Sequence, residues 1–345
     1  MYKKKSRNEV AMKKIVLFTA KCLIVCLGTL FLLFLLNLRY ERVRDNPYSD
    51  ADKFFHIKEY PDIQICNLGS SHGEYAFKYD FLAYLRGYQC FNFAMSSQTY
   101  DYDYAILSMY RDSFADDCLM FIPVSYFSFN NEVTNESEEQ FLTAKYYTFL
   151  SPKFIPHYDP YIDIVTHYLP ILSAGEEVVK ILPFSSLSLK VFAAEPPATP
   201  SPEELAAMEA QFREKAQNRY HRHMDGKEEY FLQERIDNLN SILAFCKENG
   251  ITAVLITTPY TSLYSELFSP EFKEEFHTTV ETIASNAGVP YYDYSDDGRF
   301  SNRLELFADA DHLNDEGATY FMDVLESEIP EMQDFLLRAK PNRTQ

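Results

Sequence analysis

The sequence predicts an α/β protein with a doubly wound, five-stranded parallel sheet, a long helical insertion and one transmembrane helix before the sheet. Three observations support this prediction. An apolar run of 24 residues lies near the N-terminus, five short apolar runs follow it, and amphipathic stretches separate most of those five. With 345 residues, 46% of them hydrophobic, the chain is long enough to bury a substantial core.

Residues 15–38 form the N-terminal apolar run, which only Lys21 and Asn37 interrupt. At about 1.5 Å per residue, a helix of this length spans roughly 36 Å, enough for a hydrocarbon core of about 30 Å. Lys21 lies less than two turns inside the run, so its long side chain can reach the lipid head groups. No small-residue cleavage site follows the run, which favours an uncleaved anchor over the alternative, a cleaved signal peptide.

Charge is unevenly distributed along the chain and predicts the orientation of the anchor. Residues 1–44 carry ten Lys and Arg and two acidic residues, a net +8, which leaves −27 for the rest. Because basic residues crowd the flank before the anchor, we expect a single-pass protein of the cell membrane. Its residues 1–14 would form a cytoplasmic tail, and its body would be extracytoplasmic. An acidic body repels phosphate backbones, so we expect no nucleic acid among its partners.

Five short apolar runs predict the strands of the sheet. Each is rich in β-branched or aromatic residues and is followed by Gly, Ser, Pro or Asp, as in parallel strands that are buried on both faces. The polar residues 39–60, which precede the first run, are expected to be a tether. The predicted strands are 63–68, 90–95, 118–124, 251–257 and 289–294.

Amphipathic spacing predicts helices between and after these strands. Alternating strands and helices are typical of a doubly wound α/β domain, which we assign to residues 61–335 and follow with a tail at 336–345. The predicted helices are 75–86, 102–114, 233–249, 270–287 and 315–328.

A long segment separates the third predicted strand from the fourth. A simple crossover connection requires far fewer residues, so we assign residues 126–235 to a largely helical insertion. Ser201 and Glu204 match a helix capping box with Pro202 at the first helical position, which predicts the start of a helix. Within that helix, His221 and His223 lie among many charged residues. They are expected on a solvated face rather than in a metal site.

The cysteines give no indication of a metal or redox site. Two lie in the anchor, no CxxC spacing occurs, and the other four lie in or beside apolar runs, where Cys behaves as a small buried hydrophobe. The sequence leaves open whether any of them form a disulfide, and it calls for neither a cofactor nor a metal. These four are Cys66, Cys90, Cys118 and Cys246.

Polar residues cluster where a doubly wound sheet would bind a ligand, outside the carboxyl ends of its strands. Residues 69–73 follow the first predicted strand and residues 96–98 follow the second. Residues 309–314 lie between the fifth strand and the last predicted helix. We expect these three segments to form the functional site.

These segments contain the residue types of a serine nucleophile with its base and acid. Serine is a weak nucleophile until a neighbouring base takes its proton, and that base needs a carboxylate to orient it. Ser71 is the candidate nucleophile, His312 the base and Asp309 the orienting acid. Ser70 and Asp311 are the competing nucleophile and acid.

Ser71 and its neighbour His72 also have simpler interpretations. Ser71 could instead cap the helix that follows it, because serine is a preferred N-cap residue. His72 could line the pocket or simply cover the start of that helix.

Three sequence blocks resemble the SGNH (GDSL-type) hydrolase superfamily. Gly69-Ser70-Ser71-His72 is similar to the first block, with Ser71 in the position of the nucleophile, and Asp309-x-x-His312 is similar to the last block. Asn92-x-x-x-x-Ser97 resembles the second block, with Ser97 in place of a glycine whose N–H binds the oxyanion. The resemblance implies a flavodoxin-like sheet and an oxyanion hole that includes the backbone N–H groups of Ser71 and Ser97.

The third block of the family departs from the pattern. Members with full hydrolase activity show G-x-N-D there, whereas this chain reads Ile122-Pro123-Val124-Ser125-Tyr126, without the Asn that completes the oxyanion hole. The hydroxyl of Ser125 is the candidate substitute. Because loss of one oxyanion donor costs on the order of 10²–10³ in rate, the departure predicts weak hydrolysis.

The anchor, the insertion and this departure together resemble one subgroup of the superfamily. That subgroup contains membrane-anchored proteins of teichoic-acid D-alanyl transfer and alginate O-acetylation. The resemblance implies a serine acyltransferase or esterase that moves an acyl group, expected to be acetyl, on a cell-surface glycan. A multi-spanning membrane O-acyltransferase is the expected partner. The alternatives are a plain carbohydrate or lipid esterase and a non-catalytic assembly or binding partner.

Overall fold

The computed structural model divides the chain into two compact units. One comprises Met1–Ser49 with Tyr158–Ala193, and the other comprises Asp50–His157 with Ala194–Gln345. The residues that the structure describes are 2–43, 49–130, 145–156, 158, 160–161, 163–172, 202–227 and 229–341. Parts of the predicted insertion and of the predicted C-terminal tail therefore lie outside the described residues.

The second unit contains a five-stranded parallel sheet in the order β2-β1-β3-β4-β5. The chain enters the sheet at β1, adds β2 on one side, and then adds β3, β4 and β5 in turn on the other side of β1. The winding direction therefore changes between β1 and β3, and the carboxyl ends of these two strands flank that point. The predicted α/β architecture with five parallel strands is confirmed. The strands are β1 (Ile63–Asn67), β2 (Cys90–Asn92), β3 (Phe114–Pro123), β4 (Thr252–Thr257) and β5 (Tyr291–Asp293).

The α-helices occupy most of the predicted positions. The predicted helix at 75–86 is replaced by two short helices, because the chain leaves the first of them at Phe77, which has extended backbone. In chain order the α-helices are α1 (Tyr2–Val43), α2 (Ser71–Ala76), α3 (Tyr100–Met109), α4 (Asp163–Tyr168), α5 (Pro202–Met224), α6 (Gln233–Glu248), α7 (Ser262–Ser265), α8 (Pro270–Ala287), α9 (Asp315–Glu328) and α10 (Pro330–Arg338).

Shorter helical turns connect these elements. They are the 3₁₀ segments Ser49–Glu59, Arg111–Ser113, Tyr146–Thr148, Pro152–Phe154, Pro170–Leu172 and Leu304–Leu306, and the π-helical segment Phe81–Leu85.

The start of the third strand and the end of the domain differ from the sequence-based expectation. Strand β3 begins at Phe114, where helix 102–114 was expected to end, because Phe114 pairs with Ile63 of β1. Acidic residues in the first half of β3 interrupt the apolar pattern, so the sequence did not predict this part of the strand. Helix α10 continues to Arg338, beyond the expected domain end at 335.

Part of the expected tether at 39–60 is a packed helix. Ser49–Glu59 forms a 3₁₀ helix, and its Ala51, Phe54 and Ile57 side chains are buried. The ring of Phe54 stacks on that of Phe149, with centroids 4.0 Å apart. Three apolar residues in a charged segment are therefore enough to dock it on the domain.

The core of the second unit lies around the central strands. Every residue of β1 is buried, as are the last six residues of β3, which agrees with strands covered on both faces. Four cysteines contribute to this interior, and the Sγ atoms of Cys66 and Cys118 lie 3.7 Å apart as free thiols. Burial raises the pKa of Cys66 well above its usual value, so it behaves as an apolar core residue.

Helix α1 dominates the first unit. Within the described part of the chain, one helix is long and apolar enough to cross a membrane, over Glu9–Tyr40 with mean hydropathy 2.4. Its length and composition suit either an anchor or a signal sequence. Near its end the side-chain oxygen of Asn37 accepts a hydrogen bond of 3.1 Å from the Ile171 N–H, which satisfies a polar group in an apolar helix.

Candidate active site

A tight turn after β1 places Ser71 at the start of α2. Gly69 has a φ of 105°, and a Cβ there would approach the Pro123 ring at 3.2 Å, so this turn requires glycine. Ser70 is the N-cap residue and has no side-chain capping hydrogen bond. Ser71 is therefore the first residue of the helix rather than its cap, and its hydroxyl is engaged elsewhere.

The structure brings Ser71, His312 and Asp309 together in one hydrogen-bonded chain. The Ser71 Oγ lies 2.7 Å from Nε2 of His312, and Nδ1 of His312 lies 2.9 Å and 3.0 Å from the two carboxylate oxygens of Asp309. Asp309 accepts from Nδ1, which leaves Nε2 free to accept the proton of Ser71. Hydroxyl, imidazole and carboxylate thus have the connectivity of a serine triad.

Local hydrogen bonds fix the turn that carries this histidine. The Asp309 Oδ1 also accepts from the backbone N–H groups of Asp311 and His312, at 3.2 Å and 3.1 Å. Asn314 then caps α9 by accepting from the Gly317 N–H at 2.9 Å. These hydrogen bonds therefore restrict the backbone between Asp309 and α9, and with it the position of the His312 imidazole.

Burial and two neighbouring carboxylates have opposite effects on the pKa of His312. Burial alone would lower the pKa of His312, but the carboxylates of Asp311 and Asp309 outweigh burial and raise it above its usual value. Burial would raise the pKa of Asp309, yet the hydrogen bond and charge of His312 lower it, so Asp309 stays ionised. An ionised partner stabilises the imidazolium that forms when the base takes a proton.

Asp311, the competing acid, is directed mainly to a different histidine. Its Oδ2 lies 3.2 Å from Nε2 of His72, whereas its Oδ1 is 3.6 Å from Nδ1 of His312. Asp309 is therefore the closer partner of His312, and Asp311 is the partner of His72.

His72 is a buried residue in a second hydrogen-bonded chain. It is 1% exposed, and its Nδ1 lies 2.5 Å from Oγ of Ser125. Burial lowers the pKa of His72 despite the opposing charge of Asp311, so the ring is neutral at neutral pH. Its Nε2–H then donates to Asp311, and Ser125 donates its hydroxyl proton to Nδ1.

The three oxyanion candidates have different surroundings. The N–H of Ser71 is at the first position of α2, where the helix itself offers no acceptor. Ser97 has a φ of 55°, the left-handed conformation that glycine adopts readily, and it is the residue that the sequence resemblance places where glycine is expected. The hydroxyl of Ser125 is hydrogen-bonded to His72. Its role as an oxyanion donor remains a prediction.

Asp103 links the loops that carry the first two candidates. Its Oδ1 accepts from the Gly69 N–H at 3.0 Å and from the Gln98 side-chain amide at 2.6 Å. The residue is fully buried, and burial raises its pKa to about 7, against the lowering effect of these two hydrogen bonds. In the sequence Asp103 looks like an ordinary acidic residue of an amphipathic helix, so no pattern indicated this contact.

Arg219 of α5 is the other residue that the sequence analysis did not identify. Its Nη2 lies 3.0 Å from Oδ2 of Asp309 and 3.1 Å from Nδ1 of His312, and its Nε forms an ion pair with Asp311 Oδ1 at 3.2 Å. The highly charged composition of α5 predicted a solvated helix, which hid this inward residue. The expected solvated position of His223 is wrong for the same reason, since His223 is 6% exposed and hydrogen-bonded to the Tyr264 hydroxyl at 2.9 Å.

Three residues of the site are also of the types that bind a metal ion. Potential ligand atoms of His72, Asp311 and His312 lie within 4.8 Å of one another. However, the guanidinium of Arg219 already pairs with the carboxylate in this group, and it would repel a cation. The geometry fits a proton-transfer network better than a metal centre.

Compared with known proteins, the sequence matches no family model and no curated protein closely enough to count as a relative.

Proposed function

We propose that this protein is a membrane-anchored, SGNH-like serine acyltransferase or esterase. It would carry an acyl group as an ester on Ser71 and pass that group to a hydroxyl of a cell-surface glycan or to water. The observation that supports this proposal best is the hydrogen-bonded chain from the Ser71 hydroxyl through His312 to Asp309.

The first half of the reaction forms the acyl-enzyme. The Ser71 Oγ attacks the acyl carbonyl carbon while Nε2 of His312 takes the hydroxyl proton. The tetrahedral intermediate then collapses, the bond to the donor's leaving group breaks, and the imidazolium gives its proton to that group. Asp309 stabilises the imidazolium throughout.

The second half returns the enzyme to its starting state. The acceptor hydroxyl gives its proton to His312 as its oxygen attacks the acyl carbon, and Ser71 leaves and regains a proton from His312. Transfer and hydrolysis therefore differ only in the acceptor, a sugar hydroxyl or water.

Stabilisation of the oxyanion would come from backbone donors. The N–H of Ser71 is at the start of α2, where the partial positive charge of a helix favours an anion, although α2 is short. Ser97 would supply a second N–H. With Ser125 engaged by His72, the site has few side-chain donors for the oxyanion, which is consistent with slow acyl chemistry towards either acceptor.

Several further features agree with the proposal. The strand order β2-β1-β3-β4-β5 is that expected of a flavodoxin-like sheet. A narrow crevice lined in part by Gly69, Ser70 and Phe127 adjoins the turn that precedes Ser71. We further propose that α1 anchors the chain with its basic N-terminus in the cytoplasm. A multi-spanning O-acyltransferase in the same membrane could then supply the acyl group.

Covalent labelling of the full-length protein in detergent tests the proposal. A serine-directed fluorophosphonate should form an adduct on Ser71, located by mass spectrometry, and p-nitrophenyl acetate should release nitrophenol. Ser71→Ala should abolish both signals, whereas the matched control Ser70→Ala should retain them. Equal signals in wild type and Ser71→Ala would overturn the proposal.

A non-catalytic role is the second candidate, because the chain lacks the third-block Asn and Ser125 is already engaged. This alternative predicts a folded protein in which Ser71 acquires no label at any pH. A positive adduct on Ser71 excludes it.

A further inference from the structure

We propose that Arg219, which the insertion supplies on α5, is a positioning residue that holds Asp309 and Asp311 in place around His312. The consequence for catalysis rests on the proposed function, whereas the positioning itself does not. The insertion would then contribute a residue to the site.

The geometry places one guanidinium between two carboxylates. Its Nη2 bonds to Asp309 at 3.0 Å and its Nε pairs with Asp311 at 3.2 Å, so different atoms of the planar group contact each carboxylate. Arginine suits this task because its donors point in fixed, divergent directions. The side chain of Arg219 is 26% exposed, and Asp311 is fully buried, so solvent cannot replace the guanidinium at the inner carboxylate.

The segment of α5 next to Arg219 is firmly attached to the domain. One turn further along, the His223 ring packs on that of Phe127 with centroids 3.8 Å apart, and its Nδ1 lies 2.9 Å from the Tyr264 hydroxyl. The backbone carbonyl of His223 accepts from the Asn130 side chain at 2.9 Å. These contacts fix the backbone of α5 next to Arg219, so that its side chain can contact Asp309 and Asp311.

The charges around His312 explain what this cation does. The titratable groups that face the imidazole are Asp309 and Asp311 on its own turn, Arg219 on α5, and His72 and Tyr75 on α2. Two carboxylates near one imidazole repel each other and would hold a proton on it. The guanidinium offsets this effect, because its charge lowers the pKa of His312. Arg219 thereby keeps more of the imidazole neutral and able to accept a proton from Ser71.

Substitutions in the full-length protein test this role. In Arg219→Gln we expect the rate of fluorophosphonate labelling at Ser71 to fall by up to about 100-fold at neutral pH. The midpoint of the rate–pH profile should move to higher pH, since His312 then retains its proton longer. Arg219→Lys should recover part of the rate. The matched control is Arg213→Gln, which removes an exposed ion pair with Glu209 on the same helix and should behave as wild type.

The two proposals fail in different ways. If wild-type Ser71 never labels, the proposed function fails, but ¹³C NMR titration of His312 still tests Arg219. We expect His312 to titrate at higher pH in Arg219→Gln than in wild type. An unchanged titration in folded Arg219→Gln overturns the inference. Should that variant not fold, an unchanged titration midpoint and labelling rate in the uncharged Arg219→Met would overturn it instead.

Discussion

The imidazole rings of His72 and His312 lie side by side, with centroids 5.1 Å apart, yet each is bound to a different aspartate. His312 contacts Asp309, and His72 contacts Asp311. Two carboxylates that are neighbours in the sequence therefore serve separate hydrogen-bonded chains. One chain reaches the half-buried hydroxyl of Ser71, and the other ends at the buried hydroxyl of Ser125.

Asp309→Asn and Asp311→Asn should have different consequences. Asp309→Asn should lower the labelling rate of Ser71 on the order of 10³–10⁴-fold with little loss of stability, because it removes the charge that stabilises the imidazolium. Asp311→Asn should instead lower the free energy of unfolding by about 3 kcal/mol, since it breaks a buried ionic contact. Labelling kinetics and chemical unfolding of both variants check this, and the reverse pattern would contradict the assignment of Asp309.

Ser125→Ala distinguishes a structural hydroxyl from an oxyanion donor. The variant leaves Nδ1 of the buried His72 without its hydroxyl partner, so the free energy of unfolding should fall by about 1–3 kcal/mol. We expect the labelling rate of Ser71 to change only a few-fold, because the proton of Ser125 is directed to His72. A rate loss on the order of 10²–10³ would show that Ser125 contributes to the oxyanion hole after all.

Ser97→Gly should stabilise the protein by about 1 kcal/mol. Ser97 has a φ of 55°, which glycine adopts without strain, and the substitution keeps the backbone N–H that the oxyanion would use. The labelling rate should therefore stay near that of wild type. Ser96→Gly is the control with the opposite sign, since it removes the hydrogen bond from the Ser96 hydroxyl to Glu74. Thermal unfolding of both variants gives the comparison.

His223 should make the protein sensitive to acid. Burial lowers its pKa to about 3, below the usual 6.5, so the unfolded chain binds a proton that the native protein excludes. The free energy of unfolding should therefore fall as the pH drops from 6.5 towards 3, by up to about 1.4 kcal/mol per pH unit from this residue. Unfolding curves of His223→Gln should show a shallower loss. The exposed His221→Gln should follow wild type, and an identical slope in all three proteins would contradict the prediction.

Much of the fold could be predicted because its signals are local. The runs that became β1, β3 and β4 are apolar along the chain, and burial of such runs needs no knowledge of distant residues. The positions of Ser71, Asp309 and His312 were predicted from two short blocks, each at the end of a strand or the start of a helix.

The burial of ionisable side chains was the main feature that the sequence could not predict. Arg219, Asp103 and His223 are ordinary polar residues by composition, and each is inward because of partners far away in the chain. A charged residue inside a helix has a solvated face as its default location, since burial is favourable only with a partner. That partner is visible only after the chain has folded.

Asp103 has a consequence for the loops on either side of Ser71. Its carboxyl group, with a pKa of about 7, exchanges its proton near neutral pH. Deprotonation strengthens the hydrogen bonds that Asp103 accepts from the Gly69 N–H and the Gln98 side-chain amide, but it also leaves an anion in the interior. Since the unfolded chain releases this proton near pH 3.8, the contribution of Asp103 to the free energy of unfolding falls as the pH rises from about 3.8 through 7, the same range in which its hydrogen bonds to the two loops strengthen. The protonation state that holds the loops next to Ser71 most strongly is therefore also the one in which the folded protein is less stable.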